Sequence, residues 1–222
     1  PAAVKQLDAT RAIDGNASHM ISTDPPYYDN VGYSELSDFF YVWLRRGLSA
    51  IYPDLFGTVL TPKAEELVAA RHRFGGSAEK ARAFFEKGLG MAFAHTREGQ
   101  HPDYPLTVFY AFKQAETDQE DGADDASELP TVSTGWETML EGLLTAGFAI
   151  TGTWPMRTER GGRTVGIGTN ALASSIVLVC RPRPASAALA TRREFLGAMK
   201  RELPDALRKL QRGNIAPVDL AQ

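Results

Sequence analysis

Four short runs of apolar, β-branched or aromatic residues punctuate this chain: His19–Thr23, Leu106–Phe112, Phe148–Trp154 and Ser175–Arg181. Near-continuous runs of this length suit strands covered on both faces, although a buried helical segment shares the pattern. The stretches between them carry a different period. After Ser34, the residues Leu36, Phe39, Phe40, Trp43, Leu44 and Leu48 recur at helical spacing, with Glu35 and Asp38 near the positive end of the dipole. That spacing predicts a helix whose Trp43 and neighbouring phenylalanines enter the core. Ser77–Arg97 repeats the period through Ala81, Phe85, Leu89, Ala92 and Phe93. Thr134-Gly135-Trp136-Glu137 has capping-box spacing and opens a helix through Met139, Leu140, Leu143 and Leu144, with Gly147 placed to stop it. A last helix is expected over Thr191–Leu210, bent or split by Pro204.

Strands alternating with helices define an α/β chain with a largely parallel sheet. The last two runs differ, because the Gly-, Arg- and Thr-rich residues Pro155–Ser174 between them have no helical period; those strands should be antiparallel neighbours. The chain has 222 residues, 43% hydrophobic, and this is enough to bury a core as one large domain without staples. No apolar run approaches the roughly 18 residues of a membrane span, so no membrane partner is expected. Pro1–Asp14 lacks the layout of a secretory signal. One cysteine, Cys180, permits no internal disulfide and points to a reducing cytoplasm. The four histidines are scattered, so no metal-ligand spacing exists. With 24 basic against 27 acidic residues the net charge is −3, and a nucleic-acid partner would have to be met locally. Residues 116–128 hold seven acids and almost nothing apolar, an expected solvated insertion over about 116–130.

The most informative residues are Asp24-Pro25-Pro26-Tyr27, directly after the first strand. Ligands of open α/β sheets collect at the carboxyl ends of strands. Two prolines fix φ and remove two N–H donors, which leaves a stiff turn with free carbonyls. An acid before that turn and an aromatic after it hold a hydrogen-bond acceptor and a stacking face at fixed separation, which is what a planar amine such as adenine requires. The plainer reading is a proline turn with a tyrosine covering the sheet end. Further aromatics, Tyr28 and Tyr33, follow at once.

Asp24–Tyr27 resembles the catalytic motif of the S-adenosylmethionine-dependent amino-methyltransferases, which act on exocyclic nitrogens of nucleobases. The longer string from Asp24 through Asn30, continuing from Tyr33 to Arg46, is similar to the large bacterial adenine-specific DNA methylases of phage-defence loci. Further similarity lies in Leu106–Gln114, Thr153–Arg157 and Asn170–Arg183. The resemblance implies a Rossmann-like methyltransferase domain, mainly the second half of its sheet: parallel strands ending in an antiparallel pair, with flanking helices. It implies Asp24, Pro25, Pro26 and Tyr27 as the catalytic group, with Asp24 also at the cofactor and Tyr27 stacking on a flipped adenine. Tyr28, Tyr33, Lys63, Arg157, Arg160, Arg163 and Asn170 become candidates for binding DNA, and S-adenosylmethionine becomes the cofactor. The rivals are the same chemistry on cytosine, RNA or protein glutamine, and a non-catalytic binding module that keeps the turn as scaffold.

The Gly-rich cofactor loop of such enzymes has no counterpart before Asp24, and Gly166-Ile167-Gly168 opens no helix. Residues 1–222 are therefore expected to be part of a catalytic domain, ending in a helical segment over about 190–222, with the rest of a longer polypeptide as partner. The first strand would then leave one edge open to self-association or to cover by the N-terminal segment. For the arginines of the Gly-rich connection, and for Lys63 and Arg71-His72-Arg73, a solvated basic surface is the alternative to phosphate contact.

Overall fold

A computed structural model describes residues 6–11, 18–29, 31–111, 134–157 and 174–212. The elements run β1 (Ser22–Thr23), α1 (Tyr33–Leu48), a single 3-10 turn (Arg71–Phe74), α2 (Ala78–Gly99), β2 (Leu106–Tyr110), α3 (Thr134–Thr145), β3 (Phe148–Arg157), β4 (Ser174–Pro182) and α4 (Arg192–Arg212). The chain is α/β, with a mixed sheet in the order β1-β2-β4-β3. β1 and β2 are parallel, whereas β4 inserts between β2 and β3 and runs antiparallel to both. The antiparallel pairing of the last two strands is as the sequence predicts.

Helix α2 begins where Ser77 Oγ accepts the Lys80 N–H, an N-cap made by a hydroxyl. Its Ala81, Phe85, Leu89 and Phe93 repeat every fourth residue and are buried. Helix α3 adds Met139 and Leu143 to the same core and ends at Gly147, whose φ of +85° a residue with a Cβ adopts only under strain. On β2, Leu106, Val108 and Tyr110 are buried while Thr107 and Phe109 between them are only half-buried. Ile176, Leu178 and Cys180 of β4 join them.

Three expectations need correction. The first and third strands are not covered on both faces: Met20 is 75% exposed and Trp154 is 65% exposed, since β1 and β3 are the two edges of the sheet. β1 itself is short, preceded only by an isolated parallel bridge from His19 to Gln100. β3 runs on to Arg157, so Pro155 lies in a strand and not a linker; an edge strand tolerates it because a missing N–H can face outward. The expected last helix is present as α4, Arg192–Arg212, with Pro204 inside it. The acidic insertion, Phe112 and the end of the C-terminal segment lie outside the described residues.

The third correction concerns α1. Its only buried residue is Ser34, and Leu36, Phe39, Phe40 and Trp43 are each at least 60% exposed. The stripe that faces the protein is Ser34, Asp38, Tyr41 and Arg45, at spacings of four, three and four. Ser34 and Asp38 bond Glu66 and Lys63, Tyr41 reaches Thr58, and Arg45 Nε donates to the Phe56 carbonyl. The helix is amphipathic with its polar stripe inward, so periodicity finds it and polarity misplaces it.

Candidate functional site at the end of β1

The chain leaves β1 straight into Asp24-Pro25-Pro26-Tyr27. Pro25 is buried, Asp24 is exposed, and the Tyr27 ring is half-buried. Tyr27 Oη donates to Asp24 Oδ1 at 2.7 Å, closing the turn on itself. Asp24 Oδ2 has no hydrogen-bond partner among the described residues. Tyr28 takes φ of +52° and its N–H donates to the Pro26 carbonyl at 3.2 Å, a strained bend for a residue with a Cβ. Two contacts hold that bend. The Ala69 N–H donates to the Tyr28 carbonyl at 3.0 Å, and the Tyr28 ring meets Phe85 of α2 edge-on at 5.1 Å.

An aromatic wall stands behind the turn. Tyr27 packs edge-on against Tyr110 at 5.6 Å, and Tyr110 stacks on Trp136 at 6.0 Å. Tyr110 ends β2, the parallel neighbour of β1, so the two strands deliver both rings to the carboxyl edge of the sheet. Burial pushes the Tyr110 hydroxyl far above the ordinary tyrosine range. Gly135 makes room for this group: a Cβ there would lie 2.9 Å from Tyr110 Oη and 3.0 Å from Tyr28 Cβ. Tyr33 also belongs here. Burial raises its hydroxyl pKa, a hydrogen bond from the Tyr27 backbone opposes the rise, and the nearby Asp24 and Glu66 carboxylates add to it.

Next to the turn, Arg73 Nη2 bonds Glu66 Oε2 at 2.6 Å, both Glu35 oxygens at 2.6 Å and Ser34 Oγ at 3.1 Å. Glu66 Oε1 accepts the Ser34 N–H at 2.8 Å, capping α1 from a distant part of the chain because Gly32, at the N-cap, has no side chain to do it. The Arg73 hydrogen bonds hold the Glu35 carboxyl down at about 2. Burial would raise Glu66, yet the bonds from Ser34 and Arg73 overcome it and keep its pKa low. Lys63 Nζ is bound to Asp38 Oδ2 at 2.7 Å.

The structure therefore gathers Asp24–Tyr28 and Tyr33 into one group. Lys63 stands apart in an ion pair, and Arg73 is an enclosed partner of carboxylates, not a solvated surface charge; Arg71 and His72 are exposed. Arg157 closes β3, while Arg160, Arg163 and Asn170, like Gly166–Gly168, lie outside the described residues. Sequence reasoning missed Tyr110, Trp136, Gly135, Ser34 and Glu66 as neighbours of the site. An aromatic at the carboxyl end of the second strand was a usable signal for Tyr110; Glu66 offered none. Among the described residues no group of three metal-ligating side chains is assembled, and no helix is long and apolar enough to cross a membrane.

On the sheet side of the turn lies a cavity of about 640 Å³, bounded by Asp8 and Arg11, by Thr23–Pro26, by Glu65 and Glu66, and by Leu89 and Phe93 of α2. The N-terminal residues at its rim are tied across it by Arg11, 3.2 Å from Asp8 and 3.9 Å from Glu65. No family model matches this chain, and neither a curated protein nor a solved structure matches it.

Proposed function

We propose that this domain transfers a methyl group from S-adenosylmethionine to the exocyclic amino group of adenine in DNA, in a cytoplasmic modification or phage-defence system. The observation that carries the reading is the Asp24–Tyr27 turn at the end of a parallel strand, with Asp24 Oδ2 left without a hydrogen-bond partner among the described residues and an aromatic wall beside it. The order β1-β2-β4-β3, parallel strands followed by an antiparallel pair, supports the methyltransferase half-sheet that the resemblance implies.

The amino lone pair of adenine is delocalised into the ring and is a weak nucleophile. Hydrogen bonds from that amino group to Asp24 Oδ2 and the Pro25 carbonyl favour a pyramidal nitrogen and aim its lone pair outward. Positioning and electrostatics then supply most of the acceleration. Tyr27, fixed by its bond to Asp24 and by Tyr110, offers a ring for the flipped base, with stacking worth ~1–3 kcal/mol. S-adenosylmethionine would supply the electrophilic methyl group, its carbon–sulfur bond breaking to leave S-adenosylhomocysteine, while the methylated nitrogen sheds one proton by way of the Asp24 carboxylate to solvent. The 640 Å³ cavity falls within the ~300–1,000 Å³ of small-molecule sites, and its rim is charged but compensated, with Asp8 and Glu65 sharing Arg11 and Glu66 holding Arg73, which suits a zwitterionic ligand. No Gly-rich loop lines it among the described residues, so Asp24 and these acids would hold one side of the cofactor and the remaining polypeptide the other.

One observation favours the rival reading of a non-catalytic module: Tyr27 already occupies Asp24 Oδ1, as a scaffold pair would. Mass spectrometry of nucleosides separates the two. DNA from cells carrying the complete gene product should contain adenine methylated on its amino group, and Asp24→Ala should remove it with the protein still folded. Methylation within about tenfold of wild type in Asp24→Ala would overturn the assigned role. Methyl groups on cytosine, RNA or protein glutamine alone would overturn the substrate.

A further inference from the structure

We propose that two copies of this chain associate face to face through α1, with the helices antiparallel about a two-fold axis near Phe40. Leu36, Phe40, Trp43 and Gly47 lie at spacings of four, three and four, so they share one side of the helix. Phe39 and Leu44 flank them. The opposite side is committed to the protein by Ser34, Asp38, Tyr41 and Arg45. Among the described residues the outward side is left largely uncovered: Leu36, Phe39, Phe40 and Trp43 are 65, 68, 63 and 60% exposed.

The exposed apolar area is large enough for a weak dimer. With ~150–250 Å² per aromatic side chain, the exposed parts of Phe39, Phe40 and Trp43 leave on the order of 400 Å² in water. That alone is within the range of the largest patches on monomers, ~300–600 Å². Leu36 and Leu44, 65% and 48% exposed on the same helix, add to it. The α1 face then offers on the order of 600 Å², at the top of what monomers carry and somewhat below the ~800 Å² per partner of a standard interface, as suits a reversible dimer.

Charge selects the antiparallel arrangement. Glu35 in the first turn and Arg46 in the last turn stand on the same flank of the apolar side, three turns apart. A two-fold axis between antiparallel helices brings like flanks together at opposite ends, so Arg46 of one copy meets Glu35 of the other. Glu35 remains 40% exposed while it holds Arg73, and so can accept this second cation. The helix dipoles also oppose favourably. Gly47 fits the same picture. Its φ is not positive and a Cβ there would touch nothing, so no contact within the chain asks for a glycine in this helix. In the pair it faces the start of the partner helix and permits close approach.

Analytical ultracentrifugation of the full chain over a dilution series tests this directly, and a reversible dimer is the expected result. Trp43→Glu should weaken it about thirtyfold or more, as a central aromatic anchor does. Arg46→Glu, a milder change on an exposed side chain, should weaken it less and reduce its salt dependence, whereas Leu196→Glu on α4 should leave it intact. Phe40→Cys should form a disulfide-linked dimer on mild oxidation, since residues at the axis face their own copies; Cys180 is buried and does not compete. A monomer at every concentration overturns the proposal. So does a dimer that ignores Trp43→Glu, or a failure of Phe40→Cys to cross-link while wild type dimerises.

Discussion

Arg73 joins two carboxylates and a serine hydroxyl from elements far apart in sequence, and it does so with a side chain only 14% exposed. Removing it leaves Glu66, 15% exposed, beside Glu35 without their shared cation. Arg73→Met should therefore cost about 2 kcal/mol in urea unfolding at neutral pH, below the ~3–5 kcal/mol of a fully buried pair because Glu35 is partly in water. The acid limb gives a second reading. Glu35 in the folded chain titrates at about 2, below its ordinary value, and Glu66 is lowered too. Their contribution is complete above the unfolded carboxyl pKa and is lost as pH falls through the folded values. Wild type should lose stability steadily from about pH 5 downward, and Arg73→Met should show a much flatter limb; parallel limbs would show that the cluster contributes nothing. Asp24 was legible from its place before two prolines, and Tyr27 with it. Arg73 and Glu66 were not, because a charge in a stretch without periodicity gives no sign of whether a partner awaits it 38 residues away.

At the scale of elements, α2 and α3 hold the Asp24–Tyr28 turn as a pair: Phe85 backs Tyr28, and Gly135 leaves room for Tyr28 and Tyr110. These two supports should fail differently. Phe85→Ala, at a fully buried position, should cost ~3–5 kcal/mol in global stability. Gly135→Ala keeps the helix but drives a methyl group against Tyr110 Oη and Tyr28 Cβ, so it should shift near-ultraviolet circular dichroism and impair the site more than the melting temperature. If Gly135→Ala is silent in both, the close approach has no role. The range of α2 followed from its period and the Ser77 cap, and that of α3 from its period and Gly147, because each buries most of the face its pattern marks, with Leu144 exposed. α1 has an equally clear period and buries the opposite face. The hydrogen bonds by which Glu66 accepts from Ser34, Lys63 donates to Asp38 and Thr58 accepts from Tyr41 are long-range, and hydrophobic periodicity reports only which residues share a side.

The molecule as a whole divides into a well-anchored centre and a sparsely held edge. Cys180 marks the centre: it is wholly buried between β2 and β3, and burial pushes its thiol up to about 11. Alkylation of Cys180 should therefore track global unfolding, and rapid labelling in native buffer would contradict the packed sheet. β1 marks the edge. It pairs with β2 through Ser22 and Thr23, and Thr107 Oγ1 reaches Ser22 Oγ across 85 residues. Such a contact must close a long loop before any bond rewards it, and β1 offers only Ser22 and Thr23 in return, whereas β2 pairs with β4 along its whole length and β3 pairs with β4 from Phe148 to Arg157. During folding the centre should come first, and β1 should then dock on a finished surface. The same asymmetry acts in reverse in the native state. The amide of Thr107, which donates to the Ile21 carbonyl, should exchange with deuterium through local openings well before those of Val177–Val179. Asp24 is attached to that strand, so the proposed chemistry rides on the last part of the chain to arrive and the first to leave. Low denaturant should then silence the site while the core still stands.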